Sequence, residues 1–195
     1  GPSSLYLDGT GDYLQVVNGA DFDFNGDYTI EGYVYLPSLP SGSYAMVCAT
    51  TGTNAYWGIR KSGSTLYLTS YDGATVNEQS AGTTAQLGQW AHVAWSRSGT
   101  TLRSFLNGTL VHTGTSSQAP NATGLTIVYS LSYVNQFQFN GYIDEFRVTK
   151  GIARYTATFS PLTAPFTGDI NTVLLLHFNG TNNSTVILDD GYASQ

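Results

Sequence analysis

The feature that most constrains this chain is its punctuation. Asn-Gly or Asp-Gly dipeptides recur at Asp8-Gly9, Asn18-Gly19, Asn25-Gly26, Asp72-Gly73, Asn107-Gly108, Asn140-Gly141, Asn179-Gly180 and Asp190-Gly191. Glycine after Asn or Asp accepts the positive φ that tight hairpin turns require. Between these turns the apolar residues alternate with a period of two, and no segment sustains a helical spacing. Many short antiparallel strands, closed into a sandwich or barrel, are the expected outcome.

The strands are predicted at 4–7, 12–17, 28–36, 44–49, 56–61, 65–70, 75–80, 88–97, 101–106, 109–113, 125–129, 137–148, 173–178 and 185–188. In the third, Tyr28, Ile30, Gly32, Val34 and Leu36 share one face, and Thr29, Glu31, Tyr33 and Tyr35 share the other. In the 88–97 strand, Ala91, Val93 and Trp95 oppose His92, Ala94 and Ser96. The clearest hairpin is 101–113, with Asn107-Gly108 at its tip. Residues 152–172 contain Pro161 and Pro165. They are expected to form a connection over one end of the sandwich, with a helical turn near 153–156.

At 195 residues the chain fits one domain able to bury a sizeable core. Gly1-Pro2 reads as the remnant of a cleaved tag, leaving 3–195 as the domain, drawn from a longer protein to which multimeric assembly is open. Leu5-Tyr6-Leu7-Asp8-Gly9-Thr10 is echoed by Leu176-His177-Phe178-Asn179-Gly180-Thr181. Convergent strand-and-turn chemistry explains this, and so does the start of a neighbouring repeat. Residues 173–190 are accordingly a closing strand pair or the beginning of the next unit.

Charged residues make up only 10% of the chain and the net charge is −6. The seven Lys and Arg are scattered, with only Arg60 and Lys61 adjacent, which excludes a nucleic-acid interface needing clustered cations. The longest apolar run, Val173–Leu176, is far too short to insert into a membrane. Cys48 is the single cysteine, so no intrachain disulfide can form. Five Asn-x-Ser/Thr sequons begin at Asn107, Asn121, Asn179, Asn182 and Asn183, as expected by chance in so polar a chain.

Four stretches carry a family resemblance. They are Ser4–Leu14, Asp27–Val34, Gly88–Ala94 with the Leu106-Asn107-Gly108 hairpin, and Asn140–Tyr155 with its Ile143-Asp144-Glu145 core. Together they resemble the laminin G-like jelly rolls of the concanavalin A-like lectin/glucanase superfamily, and the Lys150–Tyr155 wording resembles members in phage tail and fibre proteins. At Gly32 the family usually has an aromatic; the departure either leaves a hollow for a ligand or, the preferred reading, lets a neighbouring aromatic pack inward. The resemblance implies an all-β, two-sheet antiparallel β-sandwich that binds glycans or proteins at an extracellular or virion surface. It also implies that calcium is a possible cofactor.

For calcium, Asp144 is the leading candidate ligand, with Asp8 and Asp12 in the opening hairpin beside it. These three could instead set turns or pair with Arg147. For a cell-surface glycan or polysaccharide, two clusters join aromatic rings to amides and carboxylates. One is Asn54, Tyr56, Trp57, Tyr71 and Asp72. The other is Tyr133, Asn135 and Gln136, flanked by Tyr129 and Gln138. Trp57, inside a strand, suits a core better than a platform.

An enzyme is not expected. Of the three Glu, only Glu145 neighbours another acid, Asp144, and on a regular strand the two point to opposite faces. They could not then flank one glycosidic bond. His92, His112 and His177 sit in strand patterns, and Cys48 lies in an apolar run that offers no activation of its thiol. The expected function is a non-catalytic, lectin-like adhesion module. The alternative is a structural or protein-binding domain that leaves sugar alone.

Overall fold

A computed structural model describes residues 3–17, 21–39, 44–51, 55–80, 87–117, 124–127, 139–182, 184 and 186–191. Among the described residues there are thirteen strands: β1 Leu5–Asp8, β2 Leu14–Val16, β3 Tyr28–Tyr35, β4 Tyr44–Thr51, β5 Tyr56–Ser62, β6 Thr65–Tyr71, β7 Val76–Ser80, β8 Trp90–Ser98, β9 Thr101–Leu106, β10 Thr109–Thr115, β11 Gly124–Ile127, β12 Asn140–Lys150 and β13 Thr172–Leu176. Every pairing is antiparallel. The first sheet runs β1-β12-β3-β8-β9-β10 with β13 also on β12, and the second runs β2-β11-β4-β5-β6-β7. The expected two-sheet sandwich is present. The strand expected at 185–188 is not: Val186, Ile187 and Leu188 join no ladder, and Val186 and Leu188 stand exposed.

The inner faces of the sheets meet in one core. Tyr28, Ile30 and Val34 of β3, Trp95 of β8, Trp57 and Ile59 of β5 and Leu68 of β6 are all buried there. Trp57 packs edge-on against Phe24 and Tyr28, with ring centroids 5.4 and 5.7 Å away. Along one side the edge strands β10 and β7 meet, where Asn77 Nδ2 donates to the Thr115 carbonyl at 3.0 Å.

The alternation of β12 is broken once, and the break shapes what lies above it. Asp144 pairs with Tyr33 and Arg147 with Glu31, so Glu145 and Phe146 together face the single residue Gly32. This is a β-bulge, with Glu145 at φ +51°. It re-phases the strand: Ile143 and Phe146, an odd number of residues apart, both reach the core. Gly32 makes room for it. A Cβ there would make ordinary contact, 3.4 Å from both Cα and Cδ2 of Phe146, and a larger side chain would run into that inward-packing ring.

The bulge also divides the free edge of β12. β1 pairs with Asn140–Ile143, and β13 pairs with the Phe146–Thr149 half. β1 and β13 thus lie end to end along one strand edge, and the second echoing segment joins that edge only through Leu176.

The 151–171 connection does not cap an end of the sandwich, as expected from its prolines, and it forms bends without a helical turn. It is a strap across the outer face of the first sheet. Tyr155 and Phe159 stack at 3.6 Å, and Phe159 lies over Phe105 and His92. The face beneath carries Glu31, His92, Phe105 and Arg147, all buried. Groups of that kind need a lid with matching hydrogen bonds, and the strap supplies it. Its middle docks on the β9–β10 turn, where Phe159 N–H donates to the Gly108 carbonyl at 2.9 Å.

Candidate functional site

The strap covers part of the outer face and leaves the rest open. On the open part, four adjacent strands each contribute one outward aromatic at the same level. Tyr6 of β1 is in register with Tyr142 of β12, Tyr142 with Tyr35 of β3, and Tyr35 with Trp90 of β8. Successive ring centroids are 4.9, 5.8 and 5.8 Å apart. Tyr6, Tyr142 and Trp90 are 55%, 37% and 46% exposed. The four rings form a ladder at right angles to the strands. Cross-strand aromatic pairs stabilise a sheet, yet a row of large exposed rings is unusual on a soluble surface.

One step along the strands lies a cleft of about 560 Å³ lined by Tyr33, Trp90, Asp144, Glu145 and residues 162–165, with Ser3 and Ser4 at its rim. Both carboxylates border it, because the bulge turns Glu145 to the same side as Asp144. This corrects the expectation that the neighbouring acids diverge. Each acid is already engaged. Asp144 Oδ1 accepts from the Glu145 N–H at 2.8 Å. Glu145 Oε2 accepts from the Phe166 N–H at 2.7 Å, and His177 Nδ1 lies 2.9 Å from both of its oxygens. Burial pushes the Asp144 carboxyl above its ordinary value.

Beneath the strap, Glu31 anchors a buried polar cluster. Burial works against its charge, but hydrogen bonding from His92 and the positive charge of Arg147 prevail and hold its carboxyl below the usual value. Tyr155 Oη donates to Glu31 Oε2 at 2.8 Å. This cluster fastens the strap and so fixes one wall of the cleft.

The residues singled out from sequence fall elsewhere. Tyr56 and Tyr71 are brought together on the outer face of the second sheet, with ring centroids 5.6 Å apart, but Tyr56 is only 7% exposed. Trp57 is 1% exposed and belongs to the core, so it leaves the candidate set. Asp72 is a turn residue: its Oδ1 accepts from the N–H groups of Ala74 and Thr75. Asn54, Tyr133, Asn135 and Gln136, with Tyr129 and Gln138, lie outside the described residues.

Asp8, Asp12 and Asp144 do not converge. Asp12 Oδ2 accepts from the Asp8 N–H at 3.0 Å, and Asp8 Oδ1 accepts from the Thr10 N–H at 2.7 Å, so both shape the turn. Asp8 pairs with Asn140, which puts Asp144 four residues farther along β12, roughly 13 Å away. Among the described residues, no three His, Cys, Asp or Glu side chains gather where they could hold one ion.

The ladder was missed because its members, at positions 6, 35, 90 and 142, are far apart in sequence. The signal available was alternation, which already set Tyr35 outward. The bulge too had a sequence signal, the shift of apolar parity between Ile143 and Phe146.

A family model for laminin G domains, described as the concanavalin A-like lectin/glucanases superfamily, matches residues 8–153. The chain belongs to this superfamily. A comparison with curated protein sequences finds no match. Among solved structures, the domain is similar to a heptameric SAP-like pentraxin from Limulus polyphemus (TM-score 0.58, 19% identity, 73% of each chain). It is similar to a putative carbohydrate binding protein from Bacteroides ovatus (TM-score 0.58, 16% identity), covering 96% of this chain and 52% of that one. It is also similar to domain 4 of AbnA, an extracellular arabinanase from Geobacillus stearothermophilus solved with arabinotriose (TM-score 0.55, 18% identity, 78% of each chain). At these identities the likeness establishes the lectin/glucanase fold.

Proposed function

We propose that this lectin/glucanase-superfamily domain is a non-catalytic carbohydrate-binding module serving adhesion in a larger extracellular or virion protein. The observation that carries the reading is the exposed Tyr6–Tyr142–Tyr35–Trp90 ladder. Aromatic rings suit the C–H-rich faces of sugar rings, and nearby hydroxyl groups can orient ring hydroxyls. Two of its structural neighbours, one named as a putative carbohydrate-binding protein and one solved with arabinotriose, agree with it.

Binding without cleavage fits the acids. Asp144 and Glu145 sit side by side on one strand, and their oxygens are spent on the bulge, the strap and His177. A hydrolytic pair instead needs two carboxyls flanking one bond, roughly 5–9 Å apart. A single weak site gains useful strength when several copies act together.

A glycan array, run with and without calcium, tests the proposal. Binding to a defined glycan set that Trp90→Ala weakens, with no new reducing ends released, is the expected result. Silence across the array would replace it with a structural or protein-binding role. Release of reducing ends would replace it with an enzyme.

A further inference from the structure

Resting on that carbohydrate reading, we infer that the ligand is a linear, uncharged polysaccharide lying at right angles to the strands and running from Trp90 past Tyr6 into the hollow beyond it. The direction follows from register. The four ladder residues sit at one level on four adjacent strands, so the rings advance by one inter-strand step, about 4.8 Å, at a time. That step is close to the advance of one pyranose unit along an extended chain, so consecutive sugars can touch consecutive rings, by face or by edge as the neighbouring planes cross at 41°, 76° and 56°. A branched or compact glycan would touch one or two rings and leave the others idle.

The track does not stop at the sheet edge. Tyr6 also borders a hollow of about 910 Å³ between β1 and residues 177–190, where Asn179, Thr181, Asn182 and Ser184 supply amides and hydroxyls. Such groups are the natural complement of sugar hydroxyls once the stacking surface ends.

Charge selects among linear glycans. No Lys or Arg is among the described residues lining the cleft or the hollow, whereas Asp144, Glu145 and Asp190 are. The chain as a whole carries −6. A sulfated or uronic acid polymer would meet Asp190 in the hollow and pass the acids of the cleft beside the ladder, with no cation among the described lining residues to neutralise it.

The test is calorimetric titration with uncharged cello-, xylo-, arabino- and N-acetylchito-oligosaccharides of two to six units, alongside oligogalacturonate. The expected result is that at least one uncharged series tightens by roughly fivefold per added unit, the size of one aromatic contact, up to four units or more. Tyr6→Ala and Trp90→Ala, at opposite ends of the ladder, should each shorten that length dependence while the melting temperature holds. Length-independent sugar binding, a preference for oligogalacturonate, or indifference to Tyr6→Ala would overturn the track and leave the carbohydrate reading standing. Failure of every sugar to bind would overturn both.

Discussion

Arg147 donates two hydrogen bonds to the same oxygen of Glu31, from Nε at 3.0 Å and Nη2 at 2.6 Å, immediately past the point where the bulge slips the register of β12 against β3. The other Glu31 oxygen lies 3.1 Å from His92 Nε2 and accepts from Tyr155. Glu31 is fully buried, so one carboxylate ties three strands of the first sheet, β3, β8 and β12, to the strap above them.

Removing that charge leaves Arg147 buried and unpaired. Glu31→Gln is expected to destabilise the fold by about 3 kcal/mol, read by denaturant unfolding. The pH dependence has a definite sign. The folded-state carboxyl lies below its ordinary value of 4.5, so its contribution is fully present above that value. It is lost as pH falls through the depressed folded value. Acid unfolding curves should therefore steepen below about pH 4.5 in the native protein and flatten in Glu31→Gln.

Gly32 and Phe146 compete for one space. Gly32→Ala, whose Cβ would lie 3.4 Å from two Phe146 atoms, should change stability by no more than about 1 kcal/mol. Gly32→Phe should cost about 3 kcal/mol or prevent folding. Adding Phe146→Ala to Gly32→Phe should recover part of the loss, because a double-mutant cycle detects shared volume. No recovery would mean that the glycine serves something other than the bulge.

Two tryptophans should respond oppositely to the same substitution. Trp57→Ala empties the core and is expected to cost about 4 kcal/mol. Trp90→Ala, at a half-exposed ring, should cost under about 1 kcal/mol yet weaken glycan binding roughly fivefold, the size of one aromatic contact. Thermal melts beside binding assays separate the two effects.

The opening turn offers a check on calcium. Asp12→Ala deletes the acceptor for the Asp8 N–H and should cost about 1 kcal/mol. Melts of chelator-stripped protein with and without millimolar calcium should show the same loss. A loss that appears only with calcium would return Asp12 to the ligand set.

Much of this was legible along the chain. Asn107-Gly108 announced a hairpin because both residues can adopt positive φ, and they do, at 48° and 76°. A side chain at Gly108 would also collide with the Phe159 carbonyl, a second demand that local sequence does not display. Alternation from Tyr28 to Tyr35 told which side of β3 each residue faces. It could not tell that the outward side of Glu31 would be roofed by Tyr155, because the two are 124 residues apart.

The sequence by itself determined strand-forming runs, their turns, and which way each side chain leaves its own strand, since period-two alternation and glycine turns are local physics. Only the tertiary structure decided which strands are neighbours, where β12 bulges and which face the strap covers. Those depend on pairing between distant segments, where apolar burial fixes the register. Tyr6, Tyr35, Trp90 and Tyr142 are unremarkable in order along the chain; side by side across four strands, they make a surface.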